Sequence, residues 1–130
     1  MIRSQLTLYL ENSPGHLVRT TQTLKDAHVN IDGISVVEAE EMSMIQVIVS
    51  DASKARKALA AAGISYSEEK VAILNLPNRP GALAAVVNAL AEKKIAIHFL
   101  YATSPHDTHG DVAVVISADD LDAVEALKIP

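Results

Sequence analysis

Two short stretches carry residue types suited to holding a small anion: Asn12-Ser13-Pro14-Gly15-His16-Leu17 and Asn78-Arg79-Pro80-Gly81-Ala82-Leu83. Their glycines stand 66 residues apart in a chain of 130. In each, an apolar strand-like run stops, a polar tight turn follows, and an amphipathic helical pattern begins. The start of a helix presents unpaired backbone N–H groups and the positive end of the helix dipole. A carboxylate binds there readily. Gly15 and Gly81 carry no side chain to block a ligand's approach to the backbone. Asn12 and Asn78 each offer both a donor and an acceptor. An amino-acid ligand would also need acceptors for its ammonium group. In the first copy Asp32, on the following strand, offers a charged one. In the second copy His98 occupies that place and is a weaker partner for a cation. The bland alternative is that Asn-x-Pro-Gly joins a strand to a helix for purely local reasons, and that duplication copied a structural turn.

Other clusters compete with these cradles. His106-Asp107-Thr108-His109-Gly110-Asp111 places two imidazoles and two carboxylates in one loop, a donor set that zinc or nickel accepts. The competing reading is a solvated polar loop, because strong metal sites draw ligands from rigid elements. His106 and His109 therefore stand as metal candidates behind the cradles. His16 follows the first glycine, where the second copy has Ala82. His28 is expected to complement the dipole at a helix C-terminus. Arg79 suits a carboxylate or a surface turn equally, and Tyr101 suits packing or a pocket wall. For catalysis the chain is poor. Ser13, Ser53 and Ser117 all fall where helix caps are expected. No nucleophile-elbow pattern appears. The Pro-Gly turns lack the lysine of a phosphate-binding loop. The expectation is a protein that is not an enzyme and that needs no cofactor. A small acylphosphatase-like hydrolase using Arg79 and Asn78 is the weakest alternative, since it rests on fold analogy.

The composition narrows the classes. Apolar residues make up 49% and charged residues 21%, a globular balance. The net charge is −5, from 11 basic and 16 acidic residues, with no basic cluster, which argues against nucleic acid. Apolar runs are too short to span a bilayer. The segment Met1-Ile2-Arg3-Ser4-Gln5-Leu6 lacks an apolar signal-peptide core. There are no cysteines, hence no disulfide, thiolate metal site or Cys nucleophile. A cytoplasmic location is expected.

The elements that must position the cradles repeat along the chain. Leu6, Leu8 and Leu10 alternate with polar residues as in a one-faced strand. Pro14 suits a first helical position, with Ser13 as its cap. Leu17, Thr21, Leu24 and His28 fall at helical spacing, with Val18 widening the stripe. Strands follow at Ile31–Val37 and Met44–Val49, separated by an acidic turn. A helix opened by Ser50-Asp51-Ala52-Ser53 runs through Ala55 and Leu59, and Gly63 closes it. Ile64–Tyr66 reads as a short fourth strand, and Ser67-Glu68-Glu69-Lys70 as a tight joint. Then Ala72, Leu74 and Leu76, and Leu83, Val87 and Leu90, repeat the order. Tyr101–Gly110 reads as a hairpin loop, Val112–Ile116 as a third strand, and a last helix ends near Leu127. The expected fold is α+β, with two ferredoxin-like βαββαβ units over residues 1–67 and 68–130. Each has an antiparallel sheet with its helices on one face. The second unit lacks most of its fourth strand, and a symmetric homodimer is the expected protection for the exposed edge.

The strand, the Asn-x-Pro-Gly-x-Leu turn, the helix, and then His28-Val29-Asn30-Ile31 or Lys94-Ile95-Ala96-Ile97 resemble the ACT domain, a regulatory module that binds amino acids. The resemblance covers essentially the whole chain as a tandem pair, and Leu76-Pro77-Asn78-Arg79-Pro80-Gly81-Ala82-Leu83 is its most specific part. It implies a ligand between paired units, touching the strand-to-helix loop of one and the second strand of its neighbour. By that resemblance the ligand-binding residues are Asn12, Ser13, Pro14, Gly15, His16 and Leu17 with Asn30, Ile31 and Asp32. In the second copy they are Asn78, Arg79, Pro80, Gly81, Ala82 and Leu83 with Ala96, Ile97 and His98. Met42-Ser43-Met44-Ile45 departs from the glycine-containing turn seen in relatives, and His98 from the acidic residue. The implied function is a sensor that binds a free amino acid and modulates a partner enzyme. The alternative is a metal-responsive module built on His106 and His109.

Overall fold

A computed structural model of the chain describes residues 1–103 and 110–128. The metal candidates His106 and His109 lie outside the described residues. The chain forms two compact units. One is Ser4–Glu69; the other joins Met1–Arg3 to the residues from Lys70 onward. Both are α+β with the ferredoxin-like order of elements.

In the N-terminal unit β1 (Ile2–Glu11) leads into α1 (His16–Asp26), β2 (Ile31–Glu38), β3 (Met42–Val49), α2 (Ala52–Ala61) and β4 (Ser65–Pro77). β3 lies between β1 and β2 and is antiparallel to both. The alternation in β1 has the expected consequence. Leu6, Leu8 and Leu10 share one face, pair with Val47, Ile45 and Ser43, and bury themselves under Leu24 of α1 and Ala55 and Leu59 of α2. Both helices therefore cover one sheet face.

In the C-terminal unit the end of β4 runs antiparallel to β6 (Asp111–Ala118), and β5 (Ile97–Thr103) pairs β6 on its other side. α3 (Ala82–Glu92) and the short α4 (Leu121–Glu125) supply Val86, Leu90 and Val124 to a core with Ala72, Leu74, Val114 and Ile116. Met1 and Ile73 exchange backbone hydrogen bonds of 2.7 and 3.1 Å, so the first residues of β1 lie along β4 in this unit.

Several details differ from the spacing argument. The joint Ser67–Lys70 is extended strand inside β4 and not a turn. Tyr101–Thr103 belongs to β5. The caps of α2 and α4 are aspartates: Asp51 Oδ1 accepts the Lys54 N–H at 3.1 Å and Asp120 Oδ1 accepts the Ala123 N–H at 3.0 Å. Neither Ser53 nor Ser117 holds an N-cap position; the first lies inside α2 and the second inside β6. Ser13 does not cap α1 either, because the helix begins three residues later, at His16, with Gly15 in the cap position. The buried rows of α1 and α3 are shifted by one residue. Thr20 and Leu24 face the sheet in α1, and Ala82, Val86 and Leu90 in α3. Leu17, Val18, Leu83 and Val87 face outward.

The ends of α1 and α3 match each other. His28 and Lys94, at φ 58 and 57, hold the left-handed conformation that usually falls to glycine. A side chain there carries a Cβ–carbonyl clash of about 1–2 kcal/mol. Lys94→Gly is expected to stabilise the chain by about 1 kcal/mol, net of the extra freedom glycine gains when unfolded. A urea midpoint that falls would contradict this.

Candidate functional site

Both cradles are built alike at the backbone. Gly15 (φ 93) and Gly81 (φ 89) are left-handed and stand immediately before the first helical residue. The His16 N–H donates to the Ser13 carbonyl and the Ala82 N–H to the Arg79 carbonyl, each at 3.3 Å. The Arg19 and Ala85 N–H groups then reach back to the Gly15 and Gly81 carbonyls, each at 2.9 Å. Neither helix start has a side-chain cap. A Cβ added at either glycine would meet no atom within 4 Å. Each turn thus leaves open space above a helix N-terminus, where a carboxylate is favoured.

The surroundings of the two cradles differ. The first opens into a cleft of about 500 Å³ walled by Ser13, Gly15 and His16 with Glu11, Arg19 and Met42. The β2–β3 hairpin holds the loop in place: Asn12 Nδ2 donates to the Ala39 carbonyl at 3.1 Å and the Asn12 N–H to the Glu41 carbonyl at 3.3 Å. The imidazole of His16 is mostly buried. Its Nδ1 lies 2.6 Å from the Ser13 carbonyl, to which it donates in one tautomer. Its Nε2 stands 3.1 Å from Glu38 Oε1, but off the hydrogen-bond direction, so that buried atom has no hydrogen-bond partner among the described residues. The Arg19 guanidinium donates to the Ala62 carbonyl at the end of α2. The second cradle borders a cleft of about 140 Å³ whose walls include Asn78 and Arg79 but are otherwise largely apolar, with Leu76, Ala82, Leu83, Val112 and Val114.

Asn30, Ile31 and Asp32 are not brought to the first cradle within their own unit. Asn30 and Ile31 line a separate cleft of about 530 Å³ with Thr21, Lys25 and His28, at the other end of α1. Asp32 sits at a register shift in β2 between Ile31 and Gly33, and its Oδ1 accepts from Asn30 Nδ2 at 2.7 Å. His98 occupies the matching shift in β5, between Ile97 and Phe99, and its Nε2 lies 2.8 Å from Asp119 Oδ1. Such bulges re-aim the side chains they carry. Ile97 packs against the C-terminal core and Leu17 points outward. Pro14 and Pro80 shape their turns without lining either cleft.

Glu11, Arg19, Glu38 and Met42 were not singled out as site residues by sequence reasoning. Arg19 had a usable signal, three residues beyond His16 on the same helix face. Glu38 had none, since only the folded hairpin brings it to His16. Among the described residues no group of three or more His, Asp or Glu side chains is arranged to hold a metal, and no helix is long and apolar enough to cross a membrane.

Residues 1–126 match a family model described as an ACT domain pair. A solved structure of a protein from Bacteroides thetaiotaomicron is 30% identical to this chain, covering 96% of it and 85% of that protein, with a TM-score of 0.88. The ligand-free regulatory subunit of aspartate kinase from Thermus thermophilus is 20% identical, covering 93% and 87%, with a TM-score of 0.69. The corresponding subunit from Thermus flavus is also 20% identical, covering 95% and 90%, with a TM-score of 0.64. No curated relative matches the sequence.

Proposed function

Because this chain belongs to the ACT domain pair family, we propose that it is a non-catalytic regulatory protein that binds a free amino acid at its strand-to-helix cradles and modulates a partner enzyme. The observation that carries the reading is the duplicated left-handed glycine, with nothing within 4 Å of the place where a Cβ would stand. A helix N-terminus receives the ligand's carboxylate there. Glu11 and Glu38 stand around the first cradle as acceptors for its ammonium group. The ligand acts by differential affinity, favouring the arrangement it fits best. A second copy of the chain is the proposed partner for the outward apolar row, in which Val18 is 67% exposed, and for β2, whose Ile34, Val36 and Val37 are also exposed.

Calorimetric titration of the full chain with each of the twenty amino acids tests this reading. Saturable heat is expected for at least one of them, together with a change in sedimentation when it binds. Twenty flat titrations would remove the reading.

A further inference from the structure

The two cradles share a backbone but not the side chains beneath it, and the difference sits at matched positions. Antiparallel pairing places Ser43 directly opposite Leu10 on one side and Glu38 on the other. Residues directly opposite in such a pair share a face, so Ser43 lies on the sheet face that carries Leu10, at the end where Leu10 and Met42 line the first cleft. Ser43 is fully buried (0% exposed), and its Oγ has no hydrogen-bond partner among the described residues. The buried Nε2 of His16 is the other polar atom in that condition, and it faces Glu38, the cross-strand neighbour of Ser43. Buried polar atoms without partners are rare in folded proteins and call for a ligand, a water or a function. Here two occur at one corner. The side chain facing Nε2 is that of Glu38, itself 48% exposed.

The C-terminal unit fills the same two places with apolar groups. Leu76 takes the place of Leu10, and its cross-strand partner is Val112; Ala82 takes the place of His16. The cleft there is smaller and mostly apolar.

We propose that the cradles select different amino acids: the first takes one whose side chain ends in a neutral hydrogen-bonding group, a hydroxyl or carboxamide satisfied by Ser43 Oγ and His16 Nε2, and the second takes an aliphatic one. This rests on the amino-acid reading above and adds its specificity. Near-isosteric probes separate the two chemistries: serine against alanine, threonine against valine, asparagine against leucine, glutamine against methionine. Amide resonances of Gly15–Arg19 report the first cradle and those of Gly81–Ala85 the second, so both affinities are read in one intact chain. At Gly15–Arg19 the best polar probe is expected to bind about tenfold or more tightly than its apolar counterpart, because an analogue without the group leaves two buried polar atoms unpaired. At Gly81–Ala85 the order reverses. In the double variant His16→Ala, Ser43→Val, which installs the residues of the second copy, the preference at Gly15–Arg19 falls to within about twofold.

Equal affinities within every pair at the first cradle, or a preference for the apolar member, would overturn the inference and leave the amino-acid reading standing. So would a response of Gly15–Arg19 to a charged amino acid alone. If none of the twenty moves either set of resonances, the amino-acid reading falls too. The wild-type ranking decides the matter even if the double variant does not fold.

Discussion

Gly15→Val is expected to abolish amino-acid binding at the first cradle while leaving the chain folded. Gly15 holds φ 93, a conformation that L-residues rarely adopt. A Cβ placed there meets no atom within 4 Å. The stability cost therefore comes from backbone strain alone, about 1–3 kcal/mol, and not from a clash with the core. Binding suffers for a separate reason. The branched side chain projects into the space through which a carboxylate must reach the helix N-terminus, so affinity is expected to drop by at least about a hundredfold, the loss of roughly two charge-assisted hydrogen bonds. Titration calorimetry reads the loss of binding and a urea melt the stability cost. Affinity unchanged in a folded Gly15→Val chain would place the ligand elsewhere. Gly81→Val, at φ 89 and with the same empty surroundings, is expected to show the same strain and to lose binding only at the second cradle.

The largest stability effects are expected from Leu24→Ala and Leu90→Ala. These residues occupy matched places in α1 and α3, and both are fully buried (0% exposed). Each packs under the sheet of its own unit. Truncating a buried leucine removes transfer free energy and leaves a cavity, together about 2–5 kcal/mol. Against a total stability of about 5–15 kcal/mol, that is a large share. Leu17→Ala and Leu83→Ala, on the neighbouring outward row, are expected to cost less than about 1 kcal/mol in the isolated chain. Chemical denaturation of the four variants reads the difference. Equal losses across both rows would mean that the helices present another face to their sheets.

That comparison marks where sequence spacing stopped being enough. Alternation made β1 and the body of β4 plain, because Leu6, Leu8 and Leu10, like Leu74 and Leu76, can face only one way along a pleated strand. The 66-residue offset exposed the duplication, and Pro-Gly before an apolar helical pattern located both cradles. The helix phase was not legible. In α1 the inward row carries His16 and Thr20 and the outward row carries Leu17 and Val18, so polarity pointed the wrong way. Thr20 tolerates burial because its Oγ1 donates to the His16 carbonyl one turn back, at 3.1 Å. The aspartate caps were harder to place than the serines beside them, since helix starts are fixed by strand length and packing as much as by side-chain type.

Local pattern was sufficient for the fold class, the repeat and the two turns, because each of these depends on residues close together in the chain. Long-range contact settled the rest. Met1 lies beside Ile73, 72 residues away. Glu38 comes to His16 only when the β2–β3 hairpin closes over the first turn. Ser43 becomes a buried hydroxyl only through its pairing with Leu10 and Glu38. The chemistry of a cleft belongs to the side chains that packing gathers around it, and spacing along the chain carries no record of that gathering.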